Sequence, residues 1–171
     1  SAQPEGMTTS SSNGPVVLLG CGRLGSAILE GWLATDTPAA ADIIVLSRSE
    51  AAAAEAARAR GARINPPSEA LSGARALVLA VKPKSWRAAL EPLVAGLPSD
   101  TPVVSVMAGV GADDIAALAG RPVARVMPTT AVAQARGVAA LWSADPAARE
   151  TARGLFGRIA DVVDLDDEAI M

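Results

Sequence analysis

The chain has 171 residues, of which 50% are hydrophobic and 19% are charged, and its formal net charge at pH 7 is −3. This length predicts one domain, and the composition indicates a globular protein with a hydrophobic core. A mildly acidic chain without an apolar run of about 20 residues is a poor candidate for a general nucleic-acid binder or a membrane-spanning protein.

The residue types that are missing exclude several kinds of catalytic site. The sequence contains no histidine and no tyrosine, and its one cysteine is Cys21. A Ser-His-Asp triad, a histidine-ligated metal site and an intrachain disulfide are therefore excluded. Any chemistry must come from a cofactor, a lysine, a carboxylate or backbone groups, and we expect no metal site.

Residues 1–14 form a small, polar segment before the first apolar run. The segment lacks the basic and apolar regions of a secretory signal. We expect it to be flexible, with Met7 as the native start and residues 1–6 as a cloning remnant. The lack of an export signal and the unpaired cysteine predict a cytoplasmic protein.

The rest of the chain alternates between short apolar runs, which predict strands, and alanine-rich stretches, which predict helices. The predicted elements are strand 16–19, helix 24–34, strand 43–46, helix 50–60, strand 63–64, strand 77–81, helix 83–94, strand 103–107, helix 113–119, strand 123–127, strand 138–142, helix 146–156 and strand 162–165. Short apolar strands between helices are typical of a parallel sheet covered on both faces. Residues 15–165 are therefore predicted to form an α/β, doubly wound, mostly parallel sheet, and residues 166–171 to start another helix.

A glycine-rich turn lies between the first predicted strand and the first predicted helix. Residues 20–25 read G-C-G-R-L-G, which matches the pattern G-x-G-x-x-G. Gly20 permits a tight turn, Gly22 lets a pyrophosphate approach the backbone, and Gly25 lets the helix pack closely on the strand. In this context the pattern predicts the phosphate-binding turn of a Rossmann-type fold, the alternative being an ordinary glycine-rich turn.

Three other residues of the turn carry separate expectations. The free N–H groups near Arg23 and Leu24 lie at a helix N-terminus, where the helix dipole favours an anion. Cys21 is either a reactive thiol or a small packing residue, and we favour packing.

The second predicted strand ends in a short polar segment, Ser47-Arg48-Ser49. Dinucleotide sites specific for NAD carry an acidic residue about 20 positions after the glycines, and none stands here. Two hydroxyls beside an arginine can instead bind a 2′-phosphate, which predicts NADP(H) as the cofactor. Ser47 and Glu50 also match a capping box for the next helix, and the two interpretations can coexist.

Several segments together resemble the N-terminal domain of pyrroline-5-carboxylate reductase, from about residue 15 to the end of the chain. They are, in chain order, GCGRLGSAILEGWLA, ALVLAVKPKSW, VVSVMAGV, RVMPTT and DVVDLDDEAIM. The resemblance implies NADPH-dependent reduction of 1-pyrroline-5-carboxylate to L-proline, a step of proline biosynthesis. The cofactor then carries the chemistry, and the protein supplies orientation and electrostatics.

The resemblance also implies which residues surround the cofactor. Those expected against it are Ala80, Val81, Lys82, Pro83, Ala108 and Gly109, with the last two near the nicotinamide ring. Those expected near the substrate or the nicotinamide are Lys82, Met127, Pro128, Thr129 and Thr130. None of them is assigned as a catalytic residue. The alternatives are that Lys82 is a plain solvated lysine and that Gly109 merely serves a turn.

The chain departs from the family pattern at three positions. Thr129 stands where the family commonly has an asparagine, and Ser68 stands where an asparagine near the adenosine ribose is usual. Arg75 stands where an aspartate is frequent. We still place Ser68 in the cofactor site, and we expect these changes to affect substrate specificity more than the fold.

The largest departure concerns the end of the chain. In the family, residues 166–171 would lead into a helical dimerisation domain, and we expect this chain to be truncated before it. We therefore expect this chain to be inactive alone and a monomer or weak dimer, and the full-length enzyme to be a homo-oligomer. The expected partner is a small-molecule substrate, not a nucleic acid or a membrane. The acidic residues at 164–168 are expected to be a solvated helix N-terminus, not a metal site.

Two other functions remain open on the sequence alone. The chain can belong to another NADP-dependent reductase, of the β-hydroxyacid dehydrogenase or F420-dependent NADP reductase type. It can also be a non-catalytic module that binds NADP(H).

Overall fold

A computed structural model describes residues 14–171, so the expectations for residues 1–13 lie outside the described residues. Its centre is an 8-stranded sheet with the strand order β3-β2-β1-β4-β5-β6-β7-β8. The strands are β1 (Val16–Leu19), β2 (Ile43–Leu46), β3 (Arg63–Ile64), β4 (Ala76–Leu79), β5 (Val103–Ser105), β6 (Val123–Pro128), β7 (Gly137–Ser143) and β8 (Ala160–Asp164). Neighbouring strands of this sheet are parallel except β6 and β7, which are antiparallel.

The helices cover both faces of the sheet, as the alternation of elements predicts. They are α1 (Arg23–Thr35), α2 (Ala52–Ala59), α3 (Trp86–Leu90), α4 (Ala112–Ala119) and α5 (Pro146–Phe156). One face buries Ile28, Trp32 and Phe156 from α1 and α5, and the other buries Leu90 and Ile115 from α3 and α4. The doubly wound, mostly parallel α/β fold is confirmed.

The strand order reverses beside β1, because the chain passes from β3 across to β4. In doubly wound sheets such a reversal opens a crevice at the carboxyl ends of the strands. The loops after β1, β2, β4, β5 and β6 meet at this edge, since those strands are parallel. Every residue of β1 and β4 is buried, so the loops that follow them start from a rigid base.

Two predicted helices are wrong in their extent. The stretch predicted as one helix over 83–94 is a 3-10 turn (Pro83–Ser85), the five-residue α3 and a second 3-10 turn (Glu91–Gly96). Pro92 lacks the N–H that would continue the α-helical ladder, which explains the break. Residues 166–171 do not begin an α-helix but contain a 3-10 turn (Glu168–Ile170), and the Glu168 carboxylate accepts hydrogen bonds from Ala112 and Arg125 outside the segment.

Helix α1 also packs closely against the 3-10 turn that follows β6 (Thr130–Gln134). A Cβ atom placed on Gly31 would lie 2.3 Å from the carbonyl oxygen of Val132. Only a glycine permits this approach of the helix to the turn. The contact places the 127–130 segment beside the helix that begins at the glycine turn.

Candidate cofactor site

The glycine turn has the tight geometry that its sequence predicts. Gly20 has φ +102°, and its N–H donates to the carbonyl oxygen of Leu46 at 2.8 Å. A Cβ on Gly20 would lie 2.7 Å from the carbonyl oxygen of Ala80. A Cβ on Gly25 would lie 2.3 Å from the carbonyl oxygen of Gly20. Both residues must be glycine for helix α1 to sit this close to β1 and β4.

Gly22 differs from its neighbours, because a Cβ placed there would meet nothing within 4 Å. It is exposed and is the N-cap of α1, with no side-chain cap hydrogen bond. The N–H groups of the first helical turn therefore have no capping side chain, and the helix dipole adds partial positive charge. An open approach to such a terminus fits the pyrophosphate of a dinucleotide.

The side chain of Cys21 is turned into the core and is only 6% exposed. Its Sγ lies 3.5 Å from the Ser26 Oγ, and that hydroxyl donates to the Cys21 carbonyl oxygen at 3.0 Å. Burial raises the pKa of the Cys21 thiol, against the opposing effect of the Ser26 hydrogen bond. The structure therefore favours the packing role, and only the backbone of Cys21 lies at the turn.

The Ser47–Arg48–Ser49 segment directly follows β2 at the same edge of the sheet. The Ser47 Oγ donates to the carbonyl oxygen of Ser49 at 2.8 Å, which closes a tight local loop. Arg48 and Ser49 are exposed. The predicted capping box is wrong, because the N-cap of the next helix is Ala51 and it has no side-chain cap.

Asn65 is a site residue that the sequence reasoning missed. Its Oδ1 accepts the N–H of Ser47 at 3.0 Å, and its Nδ2 donates to the carbonyl oxygen of Ser47 at 3.0 Å. Asn65 has φ +49°, a conformation that asparagine tolerates better than most residues. The available signal was a lone asparagine between a short strand and two prolines, a sequence typical of a special turn.

The segment after β4 lies directly against the glycine turn. The N–H of Ala80 donates to the carbonyl oxygen of Leu19 at 2.8 Å. Val81 is half-buried, and a Cβ on Gly20 would lie 2.9 Å from its Cγ1. Lys82 and Pro83 are exposed. All four predicted residues thus lie at the carboxyl edge, with Lys82 on the solvent side.

The segment after β5 presents small, exposed residues at this edge. The N–H of Met107 donates to the buried Oγ of Ser105 at 3.1 Å, which fixes the start of the loop. Ala108 and Gly109 are exposed, and Gly109 has φ +76°. A left-handed conformation there agrees with the role of Gly109 in a turn.

The segment after β6 lies across the groove beside α1. Met127 and Pro128, the last two residues of β6, are half-buried, and Thr130 in the turn that follows lines the groove together with Arg23. The Thr129 Oγ1 accepts the N–H of Val138 at 3.2 Å. The Thr129 hydroxyl oxygen is thus engaged with β7, and the residue lacks the amide donor of the family's asparagine.

The remaining candidate, Ser68, lies in the segment that follows β3. Ser68 is exposed and begins the 3-10 turn that runs from Ser68 to Gly73. Between Gly14 and Met171, no group of three or more cysteine, aspartate or glutamate side chains could hold a metal ion. In the same part of the chain, no helix is both long enough and apolar enough to cross a bilayer.

The mostly parallel sheet, the tight glycine turn and the polar loop after β2 together define a dinucleotide-binding α/β domain. The chain belongs to the family described as NADP oxidoreductase, coenzyme F420-dependent, whose model matches residues 15–109, more than half of the chain. It is thus a member of a family of NADP-dependent oxidoreductases.

The chain is also similar to pyrroline-5-carboxylate reductases. It is 28% identical to the enzyme of Pseudomonas aeruginosa over 163 residues, which is 90% of this chain and 58% of that protein. The structure of a pyrroline-5-carboxylate reductase from Coxiella burnetii matches with a TM-score of 0.78 at 22% identity, over 91% of this chain and 60% of that chain. A Plasmodium falciparum pyrroline carboxylate reductase with NADP bound matches with a TM-score of 0.76 at 16% identity, over 93% of this chain and 60% of that chain.

These comparisons confirm the resemblance that the motifs predict. The two solved structures, at 22% and 16% identity, support the assignment of the fold. The chain spans about three fifths of the length of the relatives that it matches.

Proposed function

We propose that residues 15–165 bind NADP(H) and serve as the cofactor domain of an enzyme that reduces 1-pyrroline-5-carboxylate to L-proline. The observation that carries this proposal is the pairing of two loops at one sheet edge. The first helical turn after Gly22 offers N–H groups without a capping side chain, and the neighbouring loop offers the Arg48 guanidinium and the Ser49 hydroxyl. The similarity to pyrroline-5-carboxylate reductases supports the choice of substrate.

Each part of the cofactor finds a matching set of groups along the edge. The pyrophosphate would lie on the backbone from Gly20 to Gly25, with the N–H groups near Arg23 and Leu24 as donors. The 2′-phosphate would accept charge-assisted hydrogen bonds from the Arg48 guanidinium and a hydrogen bond from the Ser49 hydroxyl. Ser47 would shape this part of the site, because its hydroxyl donates to the Ser49 carbonyl oxygen and its N–H donates to Asn65. The adenosine ribose would lie towards Ser68.

The nicotinamide end would lie against Ala80, Val81, Ala108 and Gly109. Small side chains there leave room for a ring and for a substrate beside it. NADPH, when bound, supplies the hydride that reduces the C=N bond of the substrate. A protonated imine is already electrophilic, so the chain's own residues need only bind, orient and exclude water.

The residues facing the substrate are proposed to act by position. The groups concerned are Lys82, Met127, Pro128, Thr129 and Thr130. The exposed ammonium of Lys82 can attract the carboxylate of an incoming substrate, whereas the half-buried Met127 and Pro128 shape the wall. No proton transfer is assigned to them.

The setting of the whole enzyme is also part of the proposal. The unpaired Cys21 agrees with a cytoplasmic location, and the substrate is a small molecule. The full-length enzyme is proposed to be a homo-oligomer, and this chain a monomer or weak dimer. Val138, Val163 and Ile170 are exposed apolar side chains, which other parts of such an enzyme would cover.

Calorimetric titration with NADPH and NADH at one salt concentration tests the cofactor assignment. NADPH should bind at least about tenfold more tightly, because a charge-assisted phosphate contact is worth about 1.4 kcal/mol or more. Arg48→Ala should narrow this difference, and Arg87→Ala, an exposed arginine in α3, is the matched control. Equal binding of the two nucleotides would contradict the 2′-phosphate assignment.

The family match favours one other candidate function, which is the exchange of a hydride between NADP(H) and coenzyme F420. Oxidation of NADPH by the full-length protein separates the two. Dependence on 1-pyrroline-5-carboxylate with formation of proline supports the first proposal. Dependence on F420 alone supports the second.

A further inference from the structure

We infer that Asn65 is a positioning residue that selects NADPH over NADH by holding the Ser47–Ser49 loop in the shape that receives a 2′-phosphate. The inference rests on the proposed function, because it concerns the same end of the cofactor. Asn65 bonds to both backbone groups of Ser47, although 18 residues separate them in the chain.

Asn65 can hold the loop because its own backbone is fixed. Its N–H donates to the carbonyl oxygen of Val45 at 2.8 Å, which continues the pairing of β3 with β2. Two prolines follow directly, and each fixes its own φ, so the chain just after Asn65 is stiff as well. The carboxamide therefore projects from a rigid base and acts as one more step of the sheet ladder beyond the end of β3.

The two hydrogen bonds from Asn65 fix the position of the Arg48 backbone, because Arg48 directly follows Ser47. Ser47 is held by Asn65, and its hydroxyl donates in turn to the carbonyl oxygen of Ser49 at 2.8 Å. Arg48 is thus the exposed middle residue of a loop that is pinned on the sheet side and closed on itself. Among residues 14–171, Arg48 forms no salt bridge that would fix its side chain.

The fixed shape of the Ser47–Ser49 loop should affect the affinity for NADPH but not the affinity for NADH. Ordering a loop on binding costs affinity, so a loop already held in the bound shape binds its ligand more tightly. Only NADPH carries the phosphate that the loop would contact. Loss of the Asn65 bonds should therefore weaken NADPH binding and leave NADH binding almost unchanged, whereas a general structural role would weaken both.

Asn65→Gly is the sharpest variant, because glycine accepts the positive φ of this position and removes only the carboxamide. Loss of two hydrogen bonds predicts a rise of about tenfold in the dissociation constant of NADPH. The dissociation constant of NADH should change less than about twofold. Asn65→Asp keeps the acceptor for the Ser47 N–H but loses the donor, and its negative charge would also repel a 2′-phosphate, so Asn65→Gly carries the test.

Ser72→Ala, at an exposed position of the following 3-10 turn, is the control and should leave both constants unchanged. A parallel loss of NADPH and NADH affinity in Asn65→Gly would overturn the inference. Arg48→Ala tests the 2′-phosphate assignment separately from the positioning role of Asn65. If Arg48→Ala narrows the preference for NADPH and Asn65→Gly does not, the inference about Asn65 fails while the 2′-phosphate assignment stands. If Arg48→Ala has no effect, the 2′-phosphate assignment and the inference both fail.

Discussion

The guanidinium of Arg125 and the carboxylate of Glu168 lie 3.0 Å apart, from Nη1 to Oε2, although 43 residues separate them. Arg125 is only 3% exposed. The same Oε2 accepts the N–H of Ala112 at 2.7 Å, at the first residue of α4. Arg125 also donates to the carbonyl oxygen of Met107 at 3.3 Å. One carboxylate thus neutralises a buried cation, caps a helix and ties the end of the chain to the loop after β5.

Glu168→Ala should destabilise the fold by about 2–4 kcal/mol, because it leaves a buried guanidinium without its counter-ion. The value lies below the upper range for buried pairs, since the Glu168 side chain is 26% exposed. Glu168→Gln keeps an acceptor oxygen and should cost less. Urea denaturation measures both, with Asp166→Ala at an exposed neighbouring position as the control. Equal stability of the Glu168→Ala and Asp166→Ala variants would contradict the pairing.

Two glycines of the phosphate-binding turn should respond differently to alanine. A Cβ on Gly22 meets open space, so Gly22→Ala should fold with a loss below about 1 kcal/mol yet bind NADPH poorly. A Cβ on Gly25 would meet the Gly20 carbonyl oxygen at 2.3 Å, so Gly25→Ala should lose about 1–3 kcal/mol or more. Urea denaturation and calorimetry with NADPH separate the two effects. Unchanged NADPH binding by Gly22→Ala would exclude an approach of the pyrophosphate at that point.

The contact between α1 and the turn after β6 predicts a second matched pair of substitutions. Gly31→Ala places a Cβ 2.3 Å from the Val132 carbonyl oxygen and should destabilise the fold by about 1–3 kcal/mol. Gly154→Ala, in α5, meets nothing within 4 Å and should stabilise by about 0.5–1 kcal/mol. Thermal unfolding of both variants checks the opposite signs. A stabilised Gly31→Ala variant would mean that the Thr130–Gln134 turn moves away from the new Cβ without a loss of stability.

The buried Cys21 predicts a pH dependence of stability. Burial raises the pKa of its thiol above the ordinary value of 9.0, so the folded state holds the proton more strongly than the unfolded state. The stability from this group is therefore complete below the ordinary pKa and is lost as pH rises through the folded-state pKa. The difference in unfolding free energy between wild type and Cys21→Ala should shrink from about pH 7 to about pH 10. A constant difference would contradict the raised pKa, and fast alkylation by iodoacetamide near pH 8 would contradict the burial.

Most of the fold follows from patterns that are local in the chain. The runs at β1 and β2 are continuously apolar, and such runs between helices leave few alternatives to a buried parallel strand. The glycine turn is equally local, since its three glycines occur within six residues. Pro92 is local as well, and it explains why the helix predicted over 83–94 is broken.

The parts that sequence reasoning missed depend on contacts between distant residues. No spacing rule connects Asn65 to Ser47 or Glu168 to Arg125, because both pairs arise only when separate loops meet in space. The predicted capping role of Ser47 was wrong for the same reason. Its backbone is held by Asn65, and its hydroxyl bonds to Ser49, so α2 begins at Ala52.

The strand order has a consequence for how this protein can change. The loop after β2 lies three strand positions from the loop after β5, which is roughly 14 Å at the usual spacing between strands. A nucleotide that reaches both must lie extended across the strand axes, with its phosphate end and its reactive end on separate loops. Substitutions near Ser47 can therefore alter coenzyme preference without disturbing residues near Ala108. Coenzyme choice and substrate choice can thus diverge independently in descendants of this chain.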